Sequence, residues 1–174
     1  MRRLIVTLPL AVLCITSCKR STQETEALVT EKAAPLLSVV NVNDPAAAAQ
    51  LVRGFHTLEA GTWRWTMKQF EVALKPPPGA SEKGATLNLR LAVPEAIVSK
   101  LGPVTLNASI NGLALPPETY QKSGNYVYTR DVPASALKGD AIVVQFSSDK
   151  GIGPSSEDAR ELSLIAVSIG LDSK

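Results

Sequence analysis

Alternation of apolar and polar side chains is the feature that most restricts what this chain can fold into. Every second residue is apolar in five separate segments, residues 70–74, 86–93, 104–110, 142–146 and 165–171. A period of two is that of a β-strand with one buried face. Because parallel strands are usually apolar on both faces, this pattern favours antiparallel pairing.

Turn and cap residues predict two hairpins and the start of a helix. Asn111 and Gly112 predict a two-residue hairpin, since both tolerate positive φ, and residues 123–125 are a second hairpin candidate. Asp44 followed by Pro45 predicts the start of a short helix over residues 45–52.

With a further strand at residues 36–42, the sequence predicts an all-β domain over residues 35–174. We expect an antiparallel β-sandwich, jelly-roll-like, with one short helix near its N-terminal side. A closed barrel is the alternative.

Charge excludes one class of partner. The 174 residues include 18 basic and 16 acidic side chains. Arg2 and Arg3 lie in a segment that we expect to be removed, which leaves equal numbers of each sign. A neutral domain binds polyanions poorly, so we expect no nucleic-acid partner.

The first 17 residues have the organisation of an export signal. A short positive start is followed by residues 4–15, which are mostly apolar but too few for a spanning helix. The order Ile15-Thr16-Ser17-Cys18 resembles the lipobox of bacterial lipoproteins. That resemblance implies cleavage before Cys18 and attachment of a lipid to its thiol, which anchors the chain to a membrane. A plain signal peptide or an uncleaved anchor is the alternative.

Residues 18–34 are polar and predict a flexible tether between the lipidated Cys18 and the domain. A short surface helix around residues 24–32 is the alternative. Lys19 stands where lipoproteins retained in the inner membrane of diderm bacteria commonly have Asp. The resemblance therefore implies a cell-envelope protein, at the outer membrane and facing the periplasm if the organism is diderm.

No catalytic motif is recognisable. His56 is the only histidine, and no nucleophile elbow, P-loop, dinucleotide fingerprint or zinc-protease motif accompanies it. Asp149, Glu157 and Asp158 offer oxygen ligands but lack the spacing of a calcium loop. We expect a protein that is not an enzyme and that has no cofactor and no metal.

Residues 54–74 hold the candidate ligand-binding side chains. At strand spacing Trp63 and Trp65 point to one side and Arg64 to the other. If the tryptophans face solvent, they form a flat apolar platform for a sugar ring. The hydroxyl groups of the sugar would then be bonded by His56, Glu59 and Arg64.

The alternative is that Trp63 and Trp65 are core or half-buried framework. Two indoles are the largest side chains in a domain that is only 5% aromatic. Arg64 would then be the exposed partner of Glu59 or Glu71, a pair that contributes little to stability.

A second resemblance covers residues 50–172. The motifs Gly54-Phe55-His56, Trp63-Arg64-Trp65 and Asp158-Ala159-Arg160-Glu161-Leu162, with residues 126–133, resemble a family of bacterial β-sandwich domains. These domains occur on glycosyltransferases and other cell-surface polysaccharide proteins and are similar in fold to carbohydrate-binding modules. The resemblance implies glycan binding.

Asp158 and Arg160 are interpreted as structural. The rigid fork of donors on Arg160 suits it to bond carbonyl groups of residues 54–59 and so to pin the two ends of the domain together. Tyr126 and Tyr128 share a strand face and are interpreted as cross-strand packing.

Two functions follow from these features. The first is a lipid-anchored, non-catalytic envelope protein whose sandwich binds carbohydrate. The second is a structural lipoprotein that binds a protein partner through a sheet face or edge.

Overall fold

A computed structural model describes residues 35–174. Cys18, the export signal and the tether lie outside the described residues. The described residues lie in one compact unit. Its strands are β1 Val39–Asn41, β2 Leu51–Glu59, β3 Trp63–Leu74, β4 Ala85–Val93, β5 Val104–Ile110, β6 Leu113–Tyr120, β7 Gly124–Val132, β8 Ile142–Ser148 and β9 Ile165–Ser173.

Short helices lie between the strands. The α-helices are α1 Ala80–Lys83 and α2 Glu95–Leu101, and 3-10 helices span Pro45–Gln50 and Ala134–Ala136. The chain thus belongs to the all-β class, as its alternating pattern predicts.

The nine strands pair antiparallel in one continuous sheet of order β6-β5-β8-β3-β9-β4-β7, with β2 beside β3 and β1 beside β9. This sheet folds over between β3 and β9 into two layers. We call β6, β5, β8, β3 and β2 the first sheet, and β7, β4, β9 and β1 the second sheet. Strand β3 joins them because residues 69–74 pair with β8 and residues 64–65 pair with β9. Among the described strands β6 and β7 do not pair with each other, so the sheets form a sandwich and not a closed barrel.

The core fills the space between the layers. Tyr128 of β7 and Phe146 of β8 meet edge to face across it, with ring centroids 6.3 Å apart. Alternate residues of β4, β5 and β8 are buried, which confirms the alternation seen in the sequence.

The predicted helix starts where expected and ends early. Asp44 Oδ1 accepts a hydrogen bond from the Ala46 amide at 2.9 Å, and Pro45 is the first helical residue. The Gln50 side chain then bonds both backbone groups of Leu37 and the carbonyl of Ala73. These bonds hold the chain against β3, so strand β2 begins at once and the helix is a 3-10 helix of six residues.

The second predicted hairpin is wrong. Residues 121–123 connect β6 to β7, but β6 pairs with β5 and β7 pairs with β4. This connection therefore carries the chain from the first sheet to the second. The predicted turn at Asn111 and Gly112 is confirmed, with φ of 49° and 80°.

Strand β2 was not predicted from the sequence. Its pairing with β3 shifts register three times, and its burial does not alternate. At Gly54, φ is +77°, and a Cβ atom there would lie 2.1 Å from the Gln69 carbonyl oxygen. Only glycine allows the two backbones to approach this closely.

Candidate functional site

Trp63 and Trp65 lie on the outer side of β3. Strand β3 pairs Arg64 with Ala166, which is 1% exposed, so the side chain of Arg64 shares the inner face. The two tryptophans are on the opposite side, half-buried, and belong to neither the hydrophobic core nor the side chains packed against it.

The indoles do not form a flat platform. Their ring centroids are 6.2 Å apart and their planes meet at 74°, an edge-to-face pair. A sugar ring could stack on one indole but not on both at once. The expectation of a common platform is therefore wrong in its geometry, because the i, i+2 spacing fixes the side of the strand and not the ring angles.

Arg64 pairs with none of the acidic side chains of residues 35–174. Its Nε donates to the Val42 carbonyl at 2.8 Å and a terminal nitrogen donates to the His56 carbonyl at 2.9 Å. Glu59 and Glu71 are instead paired with Arg160 and Arg53. The predicted pairing of Arg64 with one of these acids is wrong, because Arg64 points inward to carbonyl groups near the irregular β2.

His56 is joined to the last connection of the chain. Its Nε2 lies 2.7 Å from the carbonyl oxygen of Glu161. Because a carbonyl only accepts hydrogen bonds, Nε2 carries the proton. The Glu161 carboxylate accepts the Lys68 amide at 2.6 Å. The 158–162 segment is thus held to both β2 and β3.

Arg160 links Glu59 and Asp158. One terminal nitrogen donates to Glu59 Oε1 at 2.7 Å, and the other to Asp158 Oδ2 at 2.8 Å. The side-chain and backbone bonds from Arg160 lower the pKa of Asp158 to about 2. Arg160 thus contacts residues 54–59 as predicted, but it bonds the carboxylate of Glu59 and not backbone carbonyl groups.

The structure therefore brings most of the predicted residues to one end of β3, but their polar groups are engaged by the protein itself. Glu59, Asp158 and Arg160 bond each other, and His56 and Arg64 bond carbonyl oxygens. Each of these bonds holds segments of the fold together. Glu59, Asp158 and Arg160 remain partly exposed beside the half-buried tryptophans.

Calcium ligands do not converge. Within residues 35–174, no group of three His, Cys, Asp or Glu side chains could hold a metal ion. Asp149 accepts a hydrogen bond from the Thr105 amide at 2.7 Å, and Asp158 is bonded to Arg160.

Residues 35–174 include no helix long and apolar enough to cross a membrane.

A groove that was not predicted lies on the outer face of the first sheet. One depression, of about 290 Å³, is lined by polar residues of β2, β3, β8 and β5 together with Ala108, Ala114 and Phe146. A second, of about 500 Å³, adjoins it and shares Arg53, Gln69 and Ser147. We call the two together the polar groove. Its further lining includes Met67, Lys68, Glu71, Asn107, Ser109 and Gln145.

A hydrogen-bonded chain crosses the polar groove from strand to strand. Arg53 donates to Glu71 Oε1 at 2.6 Å, and Gln145 Nε2 donates to the same oxygen at 2.9 Å. Ser109 Oγ lies 3.3 Å from Gln145 Oε1. The bond from Arg53 is the main cause that lowers the pKa of Glu71, so this carboxyl is an anion at neutral pH.

Sequence reasoning missed the polar groove because its members are scattered. Arg53, Glu71, Ser109 and Gln145 come from four strands, and each alone is an ordinary solvent-facing residue of an alternating strand. The one available signal is that three of these strands carry amide, carboxylate or hydroxyl groups at the outward positions.

Comparisons with known proteins give no family for this chain. No protein-family model matches the chain, and no curated protein matches it. A carbohydrate-binding module CBM36 in complex with calcium and xylotriose is similar, with TM-score 0.42 and 10% identity, over 78% of this chain and 100% of that chain.

Two further solved structures are similar at the same level. The CBM36-1 domain of a multidomain xylanase, from the hindgut metagenome of Trinervitermes trinervoides, has TM-score 0.39 and 9% identity, over 76% of this chain and 94% of that chain. An acetyl xylan esterase (Est2A) from the rumen bacterium Butyrivibrio proteoclasticus has TM-score 0.46 and 11% identity, over 80% of this chain and 33% of that chain. Scores below 0.5 at such low identity do not assign a function, and the resemblance to glycosyltransferase-associated domains stays a prediction.

Proposed function

We propose that this chain is a non-catalytic, glycan-binding β-sandwich held in the bacterial cell envelope by a lipid on Cys18. The observation that carries the proposal is the polar groove, whose side chains are already ordered by bonds among themselves.

The chemistry of the polar groove suits a sugar. Glycans present hydroxyl groups that both donate and accept, at fixed spacings around a ring. Amide, carboxylate and guanidinium groups each offer two atoms in one plane, so each can bond neighbouring hydroxyls. Arg53, Glu71 and Gln145 supply one group of each kind. Because they are held in place before binding, little side-chain entropy is lost.

The neighbouring surface supplies apolar contact. Met67 is 40% exposed and lines the polar groove two residues beyond Trp65 on the same side of β3. A glycan lying along β3 would reach the half-buried indoles. Trp63 and Trp65 are thus proposed as a flank of the site and not as its centre.

The ionisation of Glu71 makes it unsuited to act as the acid of a glycosidase. Hydrolysis of a glycosidic bond needs a carboxylic acid that keeps its proton near neutral pH. Glu71 has a lowered pKa and is held by Arg53 and Gln145, so it is suited to accept hydrogen bonds and not to donate a proton.

The anchor remains a proposal on the sequence alone. Cys18 ends the lipobox-like segment, and residues 19–34 would separate the lipid from the domain. Mass spectrometry of the chain purified from bacterial membranes tests it. We expect a lipid mass at Cys18 as the N-terminal residue, and an unmodified Cys18 would contradict the anchor.

Titration calorimetry tests the glycan site. Residues 33–174 contain the whole described core, so this unit can be titrated with envelope polysaccharides and soluble peptidoglycan fragments. We expect saturable binding that Gln145→Ala abolishes and that Gln121→Ala, an exposed glutamine on the β6–β7 connection, leaves unchanged. Absence of heat with every glycan, or equal binding by both variants, would contradict the proposal.

A further inference from the structure

The outer face of the second sheet carries an exposed apolar rim. Val39 of β1, Val127 of β7 and Val167 of β9 are 44%, 52% and 39% exposed. Depressions of about 360 and 470 Å³ lie on this face, and both are lined by Val127 and Arg90. We call this surface the valine face. It lies on the opposite side of the sandwich from the polar groove.

Arg90 is an uncompensated charge at the centre of the valine face. Its cross-strand neighbours are Val127 on β7 and Ser168 on β9. In the described part of the chain, the ion pairs involve Arg53, Arg130, Arg160, Lys150 and Lys174, and Arg90 takes part in none of them. Because its cross-strand neighbours are uncharged, this guanidinium can accept an incoming carboxylate as a partner.

The same face carries a carboxylate. Asp172 is exposed and accepts a bond from Asn88 Nδ2 at 2.7 Å, which fixes its position. It pairs across the strands with Thr86, four residues along β4 from Arg90. At a strand rise of about 3.4 Å per residue, Arg90 and Asp172 are about 14 Å apart along the strands, too far to bond each other.

The open edges of the sandwich are poor sites for association. Strand β6 carries Pro116 and Pro117, which have no amide hydrogen to offer a new strand. The side chain of Arg130 on β7 bonds the carbonyl oxygens of both prolines. These contacts disfavour association through the β6 and β7 edges, whereas the valine face is exposed.

We propose that the valine face binds a second copy of this chain. A two-fold axis lying in the interface and running across the strands, midway between Arg90 and Asp172, places each Arg90 against Asp172 of the other copy. A two-fold interface must be self-complementary, and this surface carries both members of the ion pair with apolar side chains beside them. Neither polar groove is covered in such a dimer.

Analytical ultracentrifugation of the 33–174 unit tests the dimer, over protein concentrations from micromolar to millimolar. We expect a monomer–dimer equilibrium that Arg90→Glu or Asp172→Lys weakens about tenfold or more, because each variant sets like charges against each other. The double variant restores both pairs with the signs exchanged and should dimerise again. Lys100→Glu, which makes the same change of charge on α2, is the matched control.

Three results would overturn the dimer. The first is a wild-type unit that stays monomeric at millimolar concentration. The second is a pair of single variants that dimerise as strongly as the wild type. The third is a double variant that has a native circular dichroism spectrum but does not recover dimerisation. None of these results depends on whether the polar groove binds glycan.

Discussion

The guanidinium of Arg160 and the carboxylate of Glu59 lie 2.7 Å apart although 101 residues separate them in the sequence. The contact joins the end of β2 to the connection before β9. The same guanidinium holds Asp158, so one side chain orders the connection and ties it to the sheet.

Lowering the pH should remove the stability that the bond between Arg160 and Asp158 gives the fold. The pKa of Asp158 is lowered from 3.8 to about 2 in the folded protein, so the unfolded chain binds a proton first as the pH falls. The stability that Arg160 gives Asp158 is therefore present above pH 4 and is lost as the pH falls towards 2.

Urea denaturation between pH 5 and pH 2 checks this prediction. The free energy of unfolding should fall less steeply in Arg160→Gln than in the wild type, and Asp158→Asn should show the same reduced slope. Parallel pH profiles for all three proteins would show that the bond does not lower the pKa of Asp158.

Arg64 should stabilise the fold by bonding two carbonyls. Replacing it by Met keeps the aliphatic stem but leaves the carbonyl oxygens of Val42 and His56 without their donor. We expect a loss of about 2 kcal/mol in the free energy of unfolding. Lys100→Met, at an exposed site on α2, should change it by less than about 0.5 kcal/mol. Equal stability of the two variants would contradict the role of Arg64.

Gly54 should not tolerate a side chain. An alanine there needs positive φ and would place Cβ 2.1 Å from the Gln69 carbonyl oxygen and 2.7 Å from Phe70 Cα. At Gly61 φ is also positive, but nothing lies within 4 Å of such an atom. Gly61→Ala should therefore cost about 1 kcal/mol, and Gly54→Ala several times more. Thermal unfolding of both variants measures the difference, and similar melting temperatures would refute the close approach of β2 and β3.

The edge-to-face contact of Trp63 and Trp65 should be measurable by a double-mutant cycle. The two ring centroids lie 6.2 Å apart in an edge-to-face arrangement, so the effects of the two alanine substitutions should not be additive. We expect a coupling of about 0.5–1.5 kcal/mol in the free energy of unfolding. A coupling of zero would mean that the indoles are not in contact in solution.

The sequence predicts the strands of this protein better than its site. Burial on one face imposes a period of two, so β4, β5, β8 and β9 can be recognised from their side chains alone. Strand β2 escapes that reasoning because its bulges break the period. The register shift between Phe55 and Leu58 spans His56, whose carbonyl accepts a bond from Arg64, so the fold provides a partner that the sequence does not suggest.

Strand register explains why the candidate site was only partly predicted. The tryptophans, His56, Glu59 and Arg160 do meet at one end of β3, but register and ring angle decide what they do there. The polar groove depends on Glu71 facing Gln145 and on Ser109 facing Gln145 from the other side. The sequence of a single strand does not predict which residues of distant strands will face each other.

Chemical-shift mapping tests the central claim most directly. Soluble peptidoglycan fragments and envelope oligosaccharides would be added to the ¹⁵N-labelled 33–174 unit, and the amide signals followed. The account predicts saturable shifts centred on residues 69–71, 107–109 and 145–147. Shifts confined to residues 63–65 or to the valine face, or no shifts with any glycan, would contradict a glycan site in the polar groove.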